Sequence, residues 1–240
     1  MKRFEAVFLD RDETLSRISP RKVEELNRAV GRILGEDGLR LAWADYMDPF
    51  WRVWDMPGLT PVDNMAREHT FWRKMYQTLL EERGATGDLE GAAADLYERF
   101  PYFRLMEPFP ETVRVLEALK ARGYRLGVIS DCFPSLERTL QAMGIAGYFE
   151  SLTASSLVGA MKPDPRIFRA AAESLAVCPE ESVFVDDTRI EADGAREQGF
   201  VAFHLDRTRQ APDFANWELG NLDHLIAYLD SAESGALQHG

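Results

Sequence analysis

Two carboxylates, Asp10 and Asp12, stand two residues apart directly after the apolar run Ala6–Leu9, and a hydroxyl, Thr14, follows. In an extended or turning segment, residues two apart lie on the same side of the chain, so both carboxylates face one crevice. Two like charges that close are costly unless a cation or a shared proton relieves them. Taken alone, the stretch also fits a strand that ends in a polar turn. Two further apolar runs end the same way, however, one in Ser130-Asp131 and one in Asp186-Asp187, and Lys162 lies in the loop between them. If these strands are parallel neighbours, all of these groups converge at the carboxyl-terminal edge of one sheet, where open α/β sheets bind ligands. Chance supplies any one of them easily. The full set in this order is hard to explain as solvated turns.

The elements that must hold these groups are legible from periodicity. After the first strand, residues 16–106 contain no convincing strand. Helical spacing is found at 21–34, at 39–54, at 61–83 and at 89–100, and Gly or Pro breaks separate these stretches. The second and third carry a stripe of aromatics, Trp43, Tyr46, Phe50, Trp51, Trp54, Phe71, Trp72 and Tyr76. Such a stripe reads as the core of a helical insert rather than as a substrate pocket, because an insert must bury a face somewhere. From Phe109 onward the pattern alternates: helix 110–122, strand 124–129, helix 134–143, strand 149–153, helix 166–175, strand 183–185, helix 191–198, strand 200–205 and helix 222–229. Alternation of this kind implies a parallel, doubly wound sheet. The expected fold class is therefore α/β, a Rossmann-like core built from residues 1–15 and 107–240, with an all-helical domain inserted at 16–106. The last ten residues are expected to fray.

Composition narrows the function. The 240 residues are 45% hydrophobic and carry a net charge of −12, which fits a globule with a sizeable core and argues against nucleic acid or an anionic membrane as partner. The acidic balance still allows a small phosphate ester held by a local cluster of Lys, backbone N–H groups and metal. Two cysteines, Cys132 and Cys178, are too few for a disulfide framework, and the sequence shows neither a secretory leader pattern nor a membrane-spanning run. A cytoplasmic, reducing location is expected. The four histidines are scattered, and His204, at a strand end, reads as structural.

Order and spacing together resemble the haloacid dehalogenase superfamily of hydrolases. Its first motif, DxDxT, is matched by Asp10, Asp12 and Thr14. Its strand-terminal Ser or Thr is matched by Ser130, its Lys by Lys162-Pro163, and its acidic fourth motif by Asp186-Asp187 and less well by Glu191. The insert resembles that family's helical type I cap. Two positions depart from the pattern. Glu13 stands where the family usually has Gly, Asp or Asn, and Asp131 replaces the commoner Asn, adding negative charge beside the expected phosphate site.

The resemblance implies a Mg²⁺-dependent phosphate monoester hydrolase acting on a small phosphorylated metabolite. By it, Asp10 is the nucleophile that forms an aspartyl-phosphate, and Asp12 is the general acid and base. Ser130 and Lys162 complete the catalytic set. Arg11, Thr14, Ser130, Asp131 and Lys162 are the implied substrate contacts. Asp10, Asp12 and Asp187 are the implied Mg²⁺ ligands, with Asp186 a ligand directly or through water. A monomer or homodimer is expected. A phosphomutase would keep every motif, a 2-haloacid dehalogenase would keep the nucleophile but usually lacks an acid at the Asp12 position, and a catalytically silent relative would be signalled by loss of Asp10 or Asp187.

Overall fold

The computed structural model describes residues 3–235. The chain forms two compact units. One, made of Met1–Arg17, Pro108–Cys132 and Gly144–Gly240, holds a six-stranded sheet; the other, made of Ile18–Glu107 and Phe133–Met143, is helical. In chain order, β1 (Ala6–Leu9) and β2 (Ser16–Ile18) precede α1 (Pro20–Leu34), α2 (Trp43–Trp54), α3 (Met65–Glu82), α4 (Leu89–Arg99) and the single turn α5 (Tyr102–Leu105). Then come β3 (Met106–Pro108), α6 (Thr112–Ala121), β4 (Arg125–Ser130), α7 (Leu136–Ala142), β5 (Ser151–Ala154) and α8 (Ser155–Val158). The chain ends with α9 (Pro165–Leu175), β6 (Ser182–Asp186), α10 (Arg189–Glu197), β7 (Val201–Leu205), β8 (Glu218–Leu219) and α11 (Leu222–Glu233).

The sheet order is β5-β4-β1-β6-β7-β8, with every pairing parallel. β1 and β6 are buried at every residue, as apolar strands covered on both faces must be. From β1 the chain builds outward to β4 and β5 on one side, then crosses to β6 and β7 on the other. β1 and its two neighbours therefore frame the point where strand order reverses, the place where such sheets open a ligand crevice. One face packs Phe8, Phe184 and Ile129 against Phe168, Ala171 and Phe200. The Phe8 ring packs against Gly127 of β4, where a Cβ would come within 2.5 Å of it, so only glycine fits there. On α11, Tyr228 packs edge-on to Phe203 at 4.6 Å.

Within the helical unit, Tyr46, Phe71, Trp72, Met75, Tyr76, Leu79 and Leu96 are buried together. Most of the aromatic stripe is thus core, while Trp51 is 57% exposed. The Tyr46 hydroxyl donates to Asn27 Oδ1 (2.7 Å), whose Nδ2 donates to the Leu41 carbonyl (2.9 Å), so these two buried polar side chains are paired. Glu68 of α3, 1% exposed, accepts from the Ser135 backbone N–H (2.9 Å) and from its hydroxyl (2.5 Å) at the start of α7. With the rings of Phe50, Trp54, Phe71 and Trp72 packed on Phe133, this contact groups residues 133–143 with the helical unit, although alternation alone assigns them to the sheet.

Other differences are local. The short strands β2 and β3 stand at the two ends of the insert, where no strand was expected. Asn64 caps α3 by accepting from the Arg67 N–H at 3.0 Å, so the helix starts at Met65 instead of residue 61. The expected fraying of the last ten residues is overtaken by α11, which runs to Glu233; residues 236–240 lie outside the described residues. Among the described residues, no helix is long and apolar enough to cross a membrane.

Candidate active site

Register brings the polar strand ends together. Leu9 pairs with Val128 of β4 and with Val185 of β6, so Asp10 emerges level with the ends of both neighbours. Its backbone N–H donates to the Val185 carbonyl (2.9 Å), which extends the ladder one residue past β1 and fixes where the Asp10 side chain leaves the sheet. The loop beyond closes on one acceptor: the Arg11 carbonyl receives Leu15 N–H (3.0 Å), Ser16 N–H (2.9 Å) and the Ser16 hydroxyl (3.1 Å). To make that turn Glu13 adopts φ 52, a left-handed conformation. For a residue with a Cβ this costs ~1–2 kcal/mol. Gly, Asn or Asp would take this conformation more readily.

Lys162, from the loop between α8 and α9, is the charge centre. Its ammonium, 1% exposed, lies 2.7 Å from Asp10 Oδ1, 2.6 Å from Asp186 Oδ2 and 2.8 Å from Glu191 Oε2. An ammonium has three N–H bonds, and three carboxylates take them. Burial works against the charged lysine, but Asp10, Asp186 and Glu191 raise its pKa well above the ordinary value. The carboxylates are pushed the other way. Burial, then the neighbouring Asp186 and Asp12, outweigh Lys162 and lift Asp10 to about 7. Burial lifts Asp186 to about 6. Burial, followed by Asp10 and Asp186, lifts Asp187 to about 7.

The remaining expected residues fall into place around this centre. Asp131, whose extra charge was the concern, turns its carboxylate onto the Lys162 backbone N–H (3.1 and 3.2 Å), so it holds the lysine loop. Asp186 is fully buried and accepts from the Thr188 N–H (2.8 Å) as well as from Lys162, which commits both of its oxygens. Arg11, expected as a substrate contact, donates through Nε (2.8 Å) and Nη2 (2.6 Å) to the two oxygens of Asp12. Its side chain is 3% exposed and that of Asp12 is 39% exposed. Thr14 is fully buried, and its hydroxyl has no hydrogen-bond partner among the described residues, so it is turned into the protein. Ser130 is 1% exposed and shares a hydrogen bond with the Cys132 thiol. Burial pushes that thiol up to about 11, which leaves it protonated and a poor nucleophile at neutral pH.

Among the described residues, no three Asp, Glu, His or Cys side chains are grouped to hold a metal ion by themselves. The set implied for Mg²⁺ needs only two carboxylates, Asp10 and Asp187, and the Asp12 carbonyl, with water completing a shell of oxygens. The chain fits that need. Asp187 makes no side-chain hydrogen bond or ion pair among the described residues, and its raised pKa marks an uncompensated carboxylate close to Asp10.

Four residues were not assigned roles from sequence, or only weakly. Glu191 was a loose match and turns out to pair with Lys162. His204 reaches the Asp187 carbonyl through Nε2 (3.0 Å) and Glu218 through Nδ1 (2.9 Å), the structural role its position suggested. Glu218, on a two-residue strand, left no periodic signal. Arg207 donates to the carbonyls of Glu13 (2.8 Å) and Thr14 (2.6 Å), 194 and 193 positions away, which no local pattern can announce. A cleft of about 270 Å³, lined by Glu13, Asp187, His204, Leu205, Asp206 and Arg207, opens beside this loop. A larger hollow of about 520 Å³, between α9 and the start of β7, contains none of the site residues.

Comparison with known proteins identifies the family of the chain. A phosphatase of Mycobacterium tuberculosis is 30% identical over 224 residues, covering 92% of this chain and 96% of that protein. A haloacetate dehalogenase of Moraxella sp. is 32% identical over 146 residues, covering 58% of this chain and 64% of that one. Among solved structures, a 2-haloacid dehalogenase from Pseudomonas syringae shares the fold, with a TM-score of 0.66 at 24% identity over 95% of this chain and 99% of that one. The family model matches residues 4–199, a span that takes in every strand end bearing a site residue, and the chain therefore belongs to the haloacid dehalogenase-like hydrolases.

Proposed function

We propose that this hydrolase cleaves the phosphate monoester of a small molecule, through an aspartyl-phosphate on Asp10 and with Mg²⁺ as cofactor. The observation that carries the reading is the state of Asp10. Lys162 fixes its Oδ1, while Oδ2 has no protein partner among the described residues, and a second carboxylate, Asp12, stands two positions along the same loop. Asp10 Oδ2 attacks phosphorus, the bond from phosphorus to the ester oxygen breaks, and the departing oxygen takes its electron pair together with a proton from Asp12. Water then attacks the aspartyl-phosphate, gives its proton to Asp12, and returns Asp10 as a carboxylate. Partial exposure of Asp12 lets it exchange protons with solvent between turnovers, while the Arg11 fork fixes its direction. When bound by Asp10, Asp187 and the Asp12 carbonyl, Mg²⁺ supplies positive charge against the phosphoryl oxygens. Because carboxylates occupy all three Lys162 N–H bonds, this lysine serves by neutralising and aiming Asp10, and Ser130 with the loop amides is left to hold the phosphoryl group.

A second reading is carbon–halogen cleavage, favoured by the relative named a haloacetate dehalogenase. There Asp10 attacks carbon and halide leaves with the electron pair, so no proton is needed. Asp12 separates the two. Asp12→Ala should lower kcat/KM for an alkyl phosphate by ~10²–10⁴-fold and for an activated aryl phosphate by much less. Equal proportional losses would remove Asp12 as the acid, and turnover of a 2-haloacid would overturn the phosphatase reading. Asp10→Asn should abolish either chemistry.

A further inference from the structure

The loop that carries Asp12 is strained at Glu13, and the restraint comes from the far end of the chain. Arg207 follows β7, and each of its three guanidinium nitrogens donates: Nε to the Glu13 carbonyl (2.8 Å), Nη2 to the Thr14 carbonyl (2.6 Å) and Nη1 to Glu111 Oε1 (2.7 Å). The group also lies 3.4 Å from the centroid of the Phe109 ring. Its side chain is 22% exposed and that of Glu111 13%, so the fork is held in place and largely shielded. The next carbonyl, Leu15, is taken by the Phe109 N–H (3.1 Å) and the Thr112 hydroxyl (2.7 Å), so three successive carbonyls are tied down on the outer side of the loop. On the inner side, Leu15 and Ser16 N–H converge on Arg11. Glu13 sits between these two sets of bonds in its left-handed conformation. Its side chain is one methylene longer than those of Asp and Asn, whose short side chains hydrogen-bond locally and ease this conformation. The left-handed turn must therefore be imposed from outside.

We propose that Arg207 is a positioning residue, which holds Glu13 left-handed by fixing the carbonyls of Glu13 and Thr14 and so keeps Asp12 aimed at the leaving group. This rests on the phosphatase reading for its kinetic consequence but not for its structural one. A guanidinium bridges two carbonyls and a carboxylate in one plane, and an ammonium does not, so charge alone cannot replace it.

The test compares Arg207→Ala and Arg207→Lys with wild type on an alkyl and an aryl phosphate in Mg²⁺. Both variants should lose at least tenfold more kcat/KM on the alkyl ester than on the aryl ester. Glu13→Gly in the Arg207→Ala background should restore threefold or more of the alkyl loss, because glycine takes the left-handed conformation freely. Equal losses on both esters, or full retention by Arg207→Lys, would overturn the proposal. If wild type cleaves neither ester, the phosphatase reading falls and amide exchange decides the role of Arg207. The Leu15 and Ser16 amides should exchange at least tenfold faster in Arg207→Ala, with the β4 amides unchanged. Unchanged protection at Leu15 and Ser16 would overturn the inference.

Discussion

Replacing Lys162 with Met removes one buried charge that faces three carboxylates, while keeping an unbranched apolar stem of similar length. Two outcomes compete. If the carboxylates stay charged, the loss is that of a broken buried ion pair, ~3–5 kcal/mol. If they take up protons instead, the cost depends on how near they already are to doing so. With Asp186 raised to about 6 and Asp10 to about 7 in the intact protein, loading the pair with protons at pH 7 costs on the order of 1–2 kcal/mol in all. Glu191 is 20% exposed and can turn to solvent. Proton uptake is the cheaper route, so the expected loss is ~2 kcal/mol at pH 7 and close to zero at pH 5. Native-state hydrogen exchange at Phe8 and Val128, in the centre of the sheet, reports the stability of this unit without averaging over the helical one. The experiment is run in EDTA at both pH values. A loss of the same size at pH 5 and pH 7 would refute the reasoning, since it would mean that Lys162 stabilises the fold by something other than compensating ionised carboxylates. The variant should also lose hydrolysis, because a protonated Asp10 does not attack.

Three further outcomes follow from the same coordinates. Without divalent cations, stability should fall as pH rises from about 4 to about 7: Asp10, Asp186 and Asp187 hold protons more tightly folded than unfolded, so their protonated forms stabilise the fold at low pH and that contribution is lost as they ionise. Mg²⁺ at pH 7 should recover it as a rise in Tm, and a flat pH dependence in EDTA would contradict the burial argument. Glu68→Ala leaves the Ser135 N–H and hydroxyl buried without their acceptor, which should destabilise the helical unit by ~2–4 kcal/mol, and Glu68→Gln by less, read from the fluorescence of Trp43, Trp54 and Trp72 during urea unfolding. Gly194→Ala would drive a Cβ into Pro163, beside Lys162, so ~1–3 kcal/mol of overpacking strain and a lower kcat should appear together; wild-type activity in a fully folded variant would show that the lysine loop is not sensitive to α10.

The sequence by itself determined the fold class and the convergence of the site. Apolar runs that end in Asp10, Ser130 and Asp186 need only be parallel neighbours for those residues to share an edge; alternating helices and strands make them parallel, because period and segment length are local properties, and the observed strand order makes them neighbours. Lys162 was legible for the same reason, as a charged residue in a proline-stiffened loop that feeds the same edge. What each group does there was decided only by tertiary structure. The three carboxylates on Lys162 come from the residue after β1, from β6 and from α10, and their distances depend on register and on how closely α10 approaches Pro163. Asp131 looked like a charge in the wrong place until its hydrogen bond to the Lys162 backbone gave it a partner. Thr14 and Arg11 looked like substrate contacts, because sequence shows which residues are in a loop but not which of them turn inward. Helix 134–143 read as part of the sheet domain, and the packing of Phe133 against Phe50, Trp54, Phe71 and Trp72, together with the buried Glu68 carboxylate, groups it with the helical unit. Arg207 shows the limit most plainly: the conformation of Glu13 depends on a guanidinium 194 positions away, and hydrogen bonds across that separation leave no mark on the spacing of either residue.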